Sequence, residues 1–273
     1  MTPTTRLYHF KDSLTQDLKR QWFEQPQSLV AGNEFVPMAA EWFRSTKRNN
    51  LLGWDAFPCV DVILGCTHFI ESLLIRQQGN IQVLPGDYAY YGLMGMHGTE
   101  PGQLRPDTPL LISLPNWRYA DLRPEWTAVL NECEKKNIDI HIDMAWITVS
   151  RNIELDLDHP CIKSFGMSLS KYSMEWNRIG LRWSRQRTMD SITIFNQYQG
   201  MPNTNLTSCG AHIIKNLPRD YAWDTYELAH ERVCHDHNLL PTKAIHVAHS
   251  LDRSRAWGIA DLLLGSPAPN CID

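Results

Sequence analysis

A lysine that follows directly on an apolar, strand-like run is the residue here best placed to do chemistry. Ile162 to Leu169 reads as a strand and leads straight into Ser170-Lys171. A lysine amine condenses with an aldehyde only when some of it is unprotonated, which burial or nearby cations favour. A second strand pattern, Ile138, Ile140 and Ile142 in alternation, ends at Asp143, and Trp146 stands three residues on. A carboxylate beside a pyridine-type nitrogen keeps that nitrogen protonated and makes the ring an electron sink; an indole N–H could reach an oxygen on such a ring. Gly65-Cys66-Thr67 closes the apolar run Asp61 to Leu64 and opens a helical stretch. Backbone N–H groups and a hydroxyl at such a start can cradle an anion, and Ser168 and Arg178 could add a hydroxyl and a guanidinium fork. Tyr88, within Gly86-Asp87-Tyr88-Ala89-Tyr90-Tyr91, could stack on a planar ring. Each residue also has a plainer reading: a solvated lysine after a strand, an aspartate capping the next element, aromatic packing, a glycine turn that binds nothing.

The elements that must position these residues alternate. From about Val60 to Gln199, short β-rich runs exchange with helical patterns, which predicts a mostly parallel, mixed α/β sheet with helices on both faces. Ile81 to Leu84 and Leu110 to Leu114 read as strands, as does Gly180 to Ser184. Phe69, Ile70, Leu73 and Leu74 share one helical face, and so do Trp126, Val129, Leu130 and Cys133 behind a first-turn Pro124. A helix is expected from about Met189 to Gln199, and another around Ala222, Tyr226, Ala229 and Val233. In open α/β sheets ligands sit beyond the carboxyl ends of the strands. Gly65-Cys66-Thr67, Asn116, Asp143 and Lys171 all fall at or just past such ends, and this shared edge is the strongest signal in the residues themselves. Residues 51–240 are expected to form the large, site-bearing domain. Residues 1–50 and 241–273 are less regular terminal elements that could make a small second layer, a reduced small domain.

The ordered set Gly65-Cys66-Thr67, Tyr88, Asn116, Asp143, Trp146, Ser168-Leu169-Ser170-Lys171 and Arg178-Ile179-Gly180 resembles the fold-type I pyridoxal-phosphate (PLP) enzymes, specifically the class I/II aminotransferases, over roughly Val60 to Ala211. The resemblance implies a PLP-binding large domain with the cofactor as a Schiff base on Lys171 and Asp143 on its pyridine nitrogen. It also implies Asn116 and Trp146 near the ring oxygen, Tyr88 stacked on the ring, and Gly65, Cys66, Thr67, Ser168 and Arg178 around the phosphate. It further implies a homodimer in which Met201 to Ala211 reaches toward the partner's site, and an amino acid or related small amine as substrate. The sequence departs from the pattern in places. Trp146 stands where the family usually has tyrosine, Trp117-Arg118 follow Asn116 in place of Pro-Thr-Gly, and the C-terminal part is short. Arg253 and Arg255 are the only arginines after Arg232 that could grip a substrate carboxylate.

Other classes fit less well. A formal net charge of −4 gives no reason to expect a nucleic-acid surface, and no apolar stretch approaches the roughly 20 residues of a membrane span. Seven scattered cysteines imply no disulfide framework and suit reduced thiols in a cytoplasmic protein. Met1 to Trp22 carries charges and no apolar run, unlike a secretory signal. His230 and Cys234, at i and i+4 with His235 and His237 nearby, could hold a metal, or could simply favour a helix C-terminus. Neither a Gly-x-Ser-x-Gly elbow nor a dinucleotide glycine motif occurs. Three readings therefore remain: an aminotransferase, other PLP-dependent carbanion chemistry such as a lyase, decarboxylase or racemase reaction, and a reduced binding protein that keeps the fold.

Overall fold

The computed structural model describes residues 12–25, 28–172, 174, 176–198, 202–265 and 270–272. Two helices come first, α1 (Ser13–Glu24) and α2 (Gly32–Arg44). Asp12 caps α1, its carboxylate accepting the Thr15 N–H at 2.8 Å. Leu18 and Trp22 bury one face of α1, and Phe35, Ala39, Trp42 and Phe43 one face of α2. The α/β body follows: β1 (Asn50–Leu52), β2 (Cys59–Ile63), α3 (Gly65–Arg76), β3 (Gln82–Val83), α4 (Ala89–Leu93), β4 (Leu110–Ser113), α5 (Trp126–Lys135), β5 (Ile140–Asp143), β6 (Glu154–Asp156), β7 (Ile162–Ser168) and β8 (Gly180–Ser184). A short α6 (Ser191–Thr193) runs into a π-helical turn, Ile194–Tyr198, and then come α7 (Thr204–Asn216) and α8 (Tyr221–Asp236). Strands β9 (Leu240–Pro241), β10 (Val247–His249), β11 (Ala256–Gly258) and β12 (Asn270–Ile272), with α9 (Ala260–Leu263) before β12, complete the chain.

The six-stranded central sheet has the order β2-β8-β7-β5-β4-β3. Neighbours from β3 to β7 are parallel, and β8 alone runs against both β7 and β2, so the sheet is mixed as expected. Strands β4, β5 and β8 are buried at every residue, the condition of strands covered on both faces. Register then fixes the site: Ser113 pairs with Asp143, so β4 and β5 finish in one row, and Asp143 pairs with Gly166, two residues before β7 ends at Ser168.

Two glycines hold that edge together. Gly65, at φ +78°, makes the turn between β2 and α3, a conformation that costs side-chain-bearing residues. At Gly180 a Cβ would stand 2.1 Å from the Met167 carbonyl oxygen, so β8 can lie against β7 only with glycine there.

Helices α1 and α2 lie against α7, and α2 also covers β2 and β8. The antiparallel sheet β12-β11-β10-β9 joins α8 through β9. Helix between Met189 and Gln199 amounts to α6 and the π-turn, Gln199 itself lying outside the described residues. Met201 also lies outside them, and the rest of the segment expected to reach a partner is largely the start of α7. Asn203 caps that helix by accepting the Asn205 and Leu206 N–H groups, and Thr207 through Ala211 are buried within this chain. No helix among the described residues is long and apolar enough to cross a membrane.

Candidate functional site

A cavity of about 250 Å³ opens at the carboxyl edge of the sheet. Of the residues singled out in the sequence, Cys66, Thr67, Tyr88, Asp143, Trp146, Lys171 and Arg178 line it. They come from the first turn of α3, the residue before α4, the last residue of β5, the loop after β5 and the loop between β7 and β8. Long-range pairing of the strands brings together residues spread over more than a hundred positions.

Lys171 is the densest point of this electrostatics. It keeps some accessible surface where it faces the cavity, yet its amine is closely surrounded, and burial pulls its pKa down from 10.5 to about 8. Asp143 pulls the other way, and Arg178 adds to the lowering. The amine also stands 5.8 Å from the centroid of the Trp146 ring, a cation–π distance that favours its charged form. The balance leaves an amine with a substantial neutral fraction near neutral pH, the condition for nucleophilic use.

Asp143 is buried, which pushes its pKa up, and three donors oppose that push. The Ala145 N–H donates to Oδ1 at 3.0 Å and the Tyr91 hydroxyl donates to Oδ2 at 3.3 Å, and the Cys66 thiol, which donates to the Gly166 carbonyl at 3.4 Å, stands close enough to add to their effect. Burial raises the Cys66 thiol well above its usual range, so it stays a thiol and a donor. Behind Tyr91 the network continues: its hydroxyl is 2.9 Å from Ser113 Oγ, and the Ser113 N–H donates to Asp87 at 3.2 Å. Asp87 also accepts the Tyr88 N–H at 2.8 Å, and its backbone carbonyl accepts the Trp117 indole N–H at 3.1 Å. This buried carboxylate ties the Tyr88 turn to the strand edge, and burial raises its pKa to about 6.

At another part of the wall, Arg178 Nη1 donates to Thr67 Oγ1 at 2.9 Å, beside the start of the twelve-residue helix α3. Thr67 and Arg178 join the helix dipole in favouring an anion there. Trp146 packs on His246 with ring centroids 4.5 Å apart, which fixes its indole against the C-terminal sheet.

Three expected residues do not line the cavity. Asn116 is fully buried, its carboxamide donating to Asp87 at 3.3 Å and accepting the Arg118 N–H at 2.9 Å, so it shapes the loop and does not face a ligand. Ser168 ends β7 fully buried, 2.5 Å from the Ser170 hydroxyl, and it is Ser170 that reaches the wall. Gly65 supplies the turn behind Cys66. Arg253 and Arg255 are exposed and line no part of it. Conversely, Ser113, Pro115, Trp117, Ala145 and Ser170 line the cavity without having been singled out as site residues. The rule about strand ends could have found Ser113, which sits beside Asp143 in the sheet. His230, weighed as a metal ligand, is buried with Nδ1 3.0 Å from the Ile245 carbonyl and Nε2 accepting the Thr242 N–H.

No protein-family model and no curated protein matches the sequence. Solved structures do match in fold. A tetra-mutant of Thermus thermophilus aspartate aminotransferase superposes with a TM-score of 0.62 at 14% identity, covering 90% of this chain and 80% of that one. The PLP-bound C-S lyase of Staphylococcus hominis gives 0.62 at 10% identity, with 90% and 74% covered. An aminotransferase from Mycobacterium tuberculosis gives 0.61 at 12% identity, with 96% and 80% covered. The chain is similar to all three in architecture, and its fold is the one they share.

Proposed function

We propose that this chain is a PLP-dependent enzyme acting on an amino acid or related small amine, and that amino-group transfer is its reaction. One observation carries the reading: an amine poised near neutral pH and a buried, donor-supported carboxylate face the same cavity, with a cationic corner at a helix start. The donor set suits the cofactor. Thr67, Arg178 and Ser170 would hold its phosphate, Tyr88 and Trp146 would flank its ring, Asp143 would face the pyridine nitrogen, and Lys171 would hold the aldehyde.

When bound, the cofactor supplies an electron-accepting ring for the charge released as a bond to the substrate α-carbon breaks. The protein's own groups supply the rest. Lys171 Nζ, partly neutral near pH 7, takes and returns a proton at the α-carbon as general base and acid. Asp143, supported by Tyr91 and the Ala145 N–H, would keep a proton on the cofactor's ring nitrogen. Trp117, Tyr88 and Trp146 present broad apolar faces that limit water in the cavity. The proposal includes a homodimer, which sedimentation of the loaded protein tests.

A second reading, elimination at a substrate side chain, draws support from the likeness to the C-S lyase. An amino-acid panel separates the two. Loss of the amino group to the cofactor with release of the matching keto acid means transfer, whereas ammonia or a thiol released without net amination of the cofactor means elimination. A protein that takes up no cofactor in excess would sink both and leave a reduced binding protein.

A further inference from the structure

At the amino ends of β5 and β7, away from the Lys171 cavity, a second cavity of about 260 Å³ opens on the sheet. Arg76, from the last turn of α3, reaches into it, with His141 from β5, Lys163 from β7, and Arg182 and Arg185 from β8 and just beyond it. Leu73 is the one apolar side chain on its wall and Asp139 the one carboxylate. A small apolar ligand has nothing to gain in such a space.

The cations here differ in how their charge is met. Arg182 is fixed between Asp61, at 2.6 Å, and Asp190, both buried. Lys163 pairs with Asp139 at 3.4 Å and Arg185 with Asp158 at 3.1 Å, and both of those carboxylates are at least half exposed. Exposed pairs of this kind contribute little and exchange readily for another anion. Arg76 stands apart. It is half-buried, burial lowers its pKa most, Asp190 and Asp139 raise it from a distance and Arg182 lowers it, and no carboxylate among the described residues lies within ion-pair distance of it. Its Nη1 donates to Thr188 Oγ1 at 2.9 Å and its Nη2 is 3.5 Å from His141 Nε2, while its Nε is buried without a hydrogen-bond partner. His141 is held neutral, burial and the surrounding cations bringing its pKa to about 3, so it offers Arg76 an acceptor and no counter-charge. A guanidinium partly withdrawn from water with no carboxylate in direct contact is a cost that a bound anion lowers.

We propose that this cavity is a second ligand site, taking a small hydrophilic molecule that bears a phosphate group. Arg76, Lys163 and Arg185 hold the phosphate, and Ser184 lies on the same wall to supply a hydroxyl donor, while Thr188, accepting from Arg76 and donating to Asp190 at 3.3 Å, orients the Arg76 guanidinium. Arg185 also donates Nε to the Ile162 carbonyl at 2.7 Å and Nη2 to the His159 carbonyl at 3.0 Å, which fixes its guanidinium on the wall, and its charge together with those of Arg76 and Lys163 suits a multiply charged oxyanion better than a single carboxylate. The inference stands independently of the cofactor reading, because it uses none of the residues around Lys171.

The test is calorimetric titration of the full chain with inorganic phosphate and, in a parallel arm, with glycerol phosphate as a hydrophilic monoester. Parent, Arg76→Gln, Lys163→Gln and Arg178→Gln proteins are compared at constant chloride. Arg76→Gln is expected to weaken a saturable phosphate-dependent event roughly tenfold or more, the equivalent of losing one charge-assisted contact. Lys163→Gln, a change at a partly exposed side chain that spares the core, is expected to weaken the same event, and Arg178→Gln to leave it in place. Tighter binding in the monoester arm identifies an organic phosphate as the natural ligand, and equal binding identifies the free ion. No binding in either arm, or binding lost in Arg178→Gln and untouched by both other variants, overturns the proposal.

Discussion

Replacing Asp143 with asparagine perturbs Lys171 in a direction the geometry dictates. Four influences set the amine's pKa at about 8: burial lowers it most, Asp143 raises it, Arg178 lowers it further, and Cys66 raises it by the least of the four. At pH 7 such an amine is neutral in about one molecule in eleven, against about one in three thousand for a lysine at 10.5. Asp143→Asn removes the largest opposing influence and leaves both lowering ones, so the midpoint must fall below that of the parent. A fall of about one unit, the low end for a neighbouring carboxylate, raises the neutral share at pH 7 roughly fivefold. Trace labelling with acetic anhydride across a pH series, read by mass spectrometry of the Lys171 peptide, reports this midpoint on cofactor-free protein. A parent midpoint near that of ordinary lysine, or one that climbs in the variant, refutes the reasoning.

Further outcomes follow from the same contacts. Arg178→Ala should weaken PLP affinity by about tenfold to a hundredfold, from about 1.5–3 kcal/mol for a charge-assisted contact, measured by equilibrium dialysis. Gly180→Ala should lower the melting temperature by several degrees, since overpacking costs about 1–3 kcal/mol and the new methyl would meet the Met167 carbonyl; an unchanged melt means the strands give way. Asp87 has a folded pKa of about 6 against 3.8, so the folded state binds the extra proton between those values and loses stability as pH rises through them. Urea unfolding of the parent should therefore lose up to about 3 kcal/mol relative to Asp87→Asn on going from pH 4 to pH 7. A constant difference across that range would remove Asp87 as a titrating group.

Much of the sheet could be read in the sequence because its strands are short apolar runs ending in polar residues. Gly180 to Ser184 has the bounds expected, and Ile138-Ile140-Ile142 leads to Asp143 as the alternation predicts. The row of strand ends then gathers Thr67, Asp143 and Lys171 at one cavity. Asn116 and Ser168 escaped that logic because position along a strand says nothing about which neighbour satisfies a side chain. Asn116 is drawn inward by Asp87, and Ser168 is covered by Ser170. Helices α1, α2 and α7 were obscured because the partners of their apolar faces are distant in sequence: α1 and α2 both lie against α7, and α2 also covers β2 and β8. Tyr91 was visible only as one of several tyrosines, since its contact with Asp143 depends on α4 turning back over the strand edge.

Borohydride treatment of the PLP-loaded protein, followed by peptide mass mapping, measures the central claim most directly. Cofactor mass should be fixed on the peptide containing Lys171 and lost with Lys171→Ala, while that variant keeps the parent's far-ultraviolet circular dichroism. Mass on another lysine, or unchanged labelling and turnover in Lys171→Ala, would contradict the account.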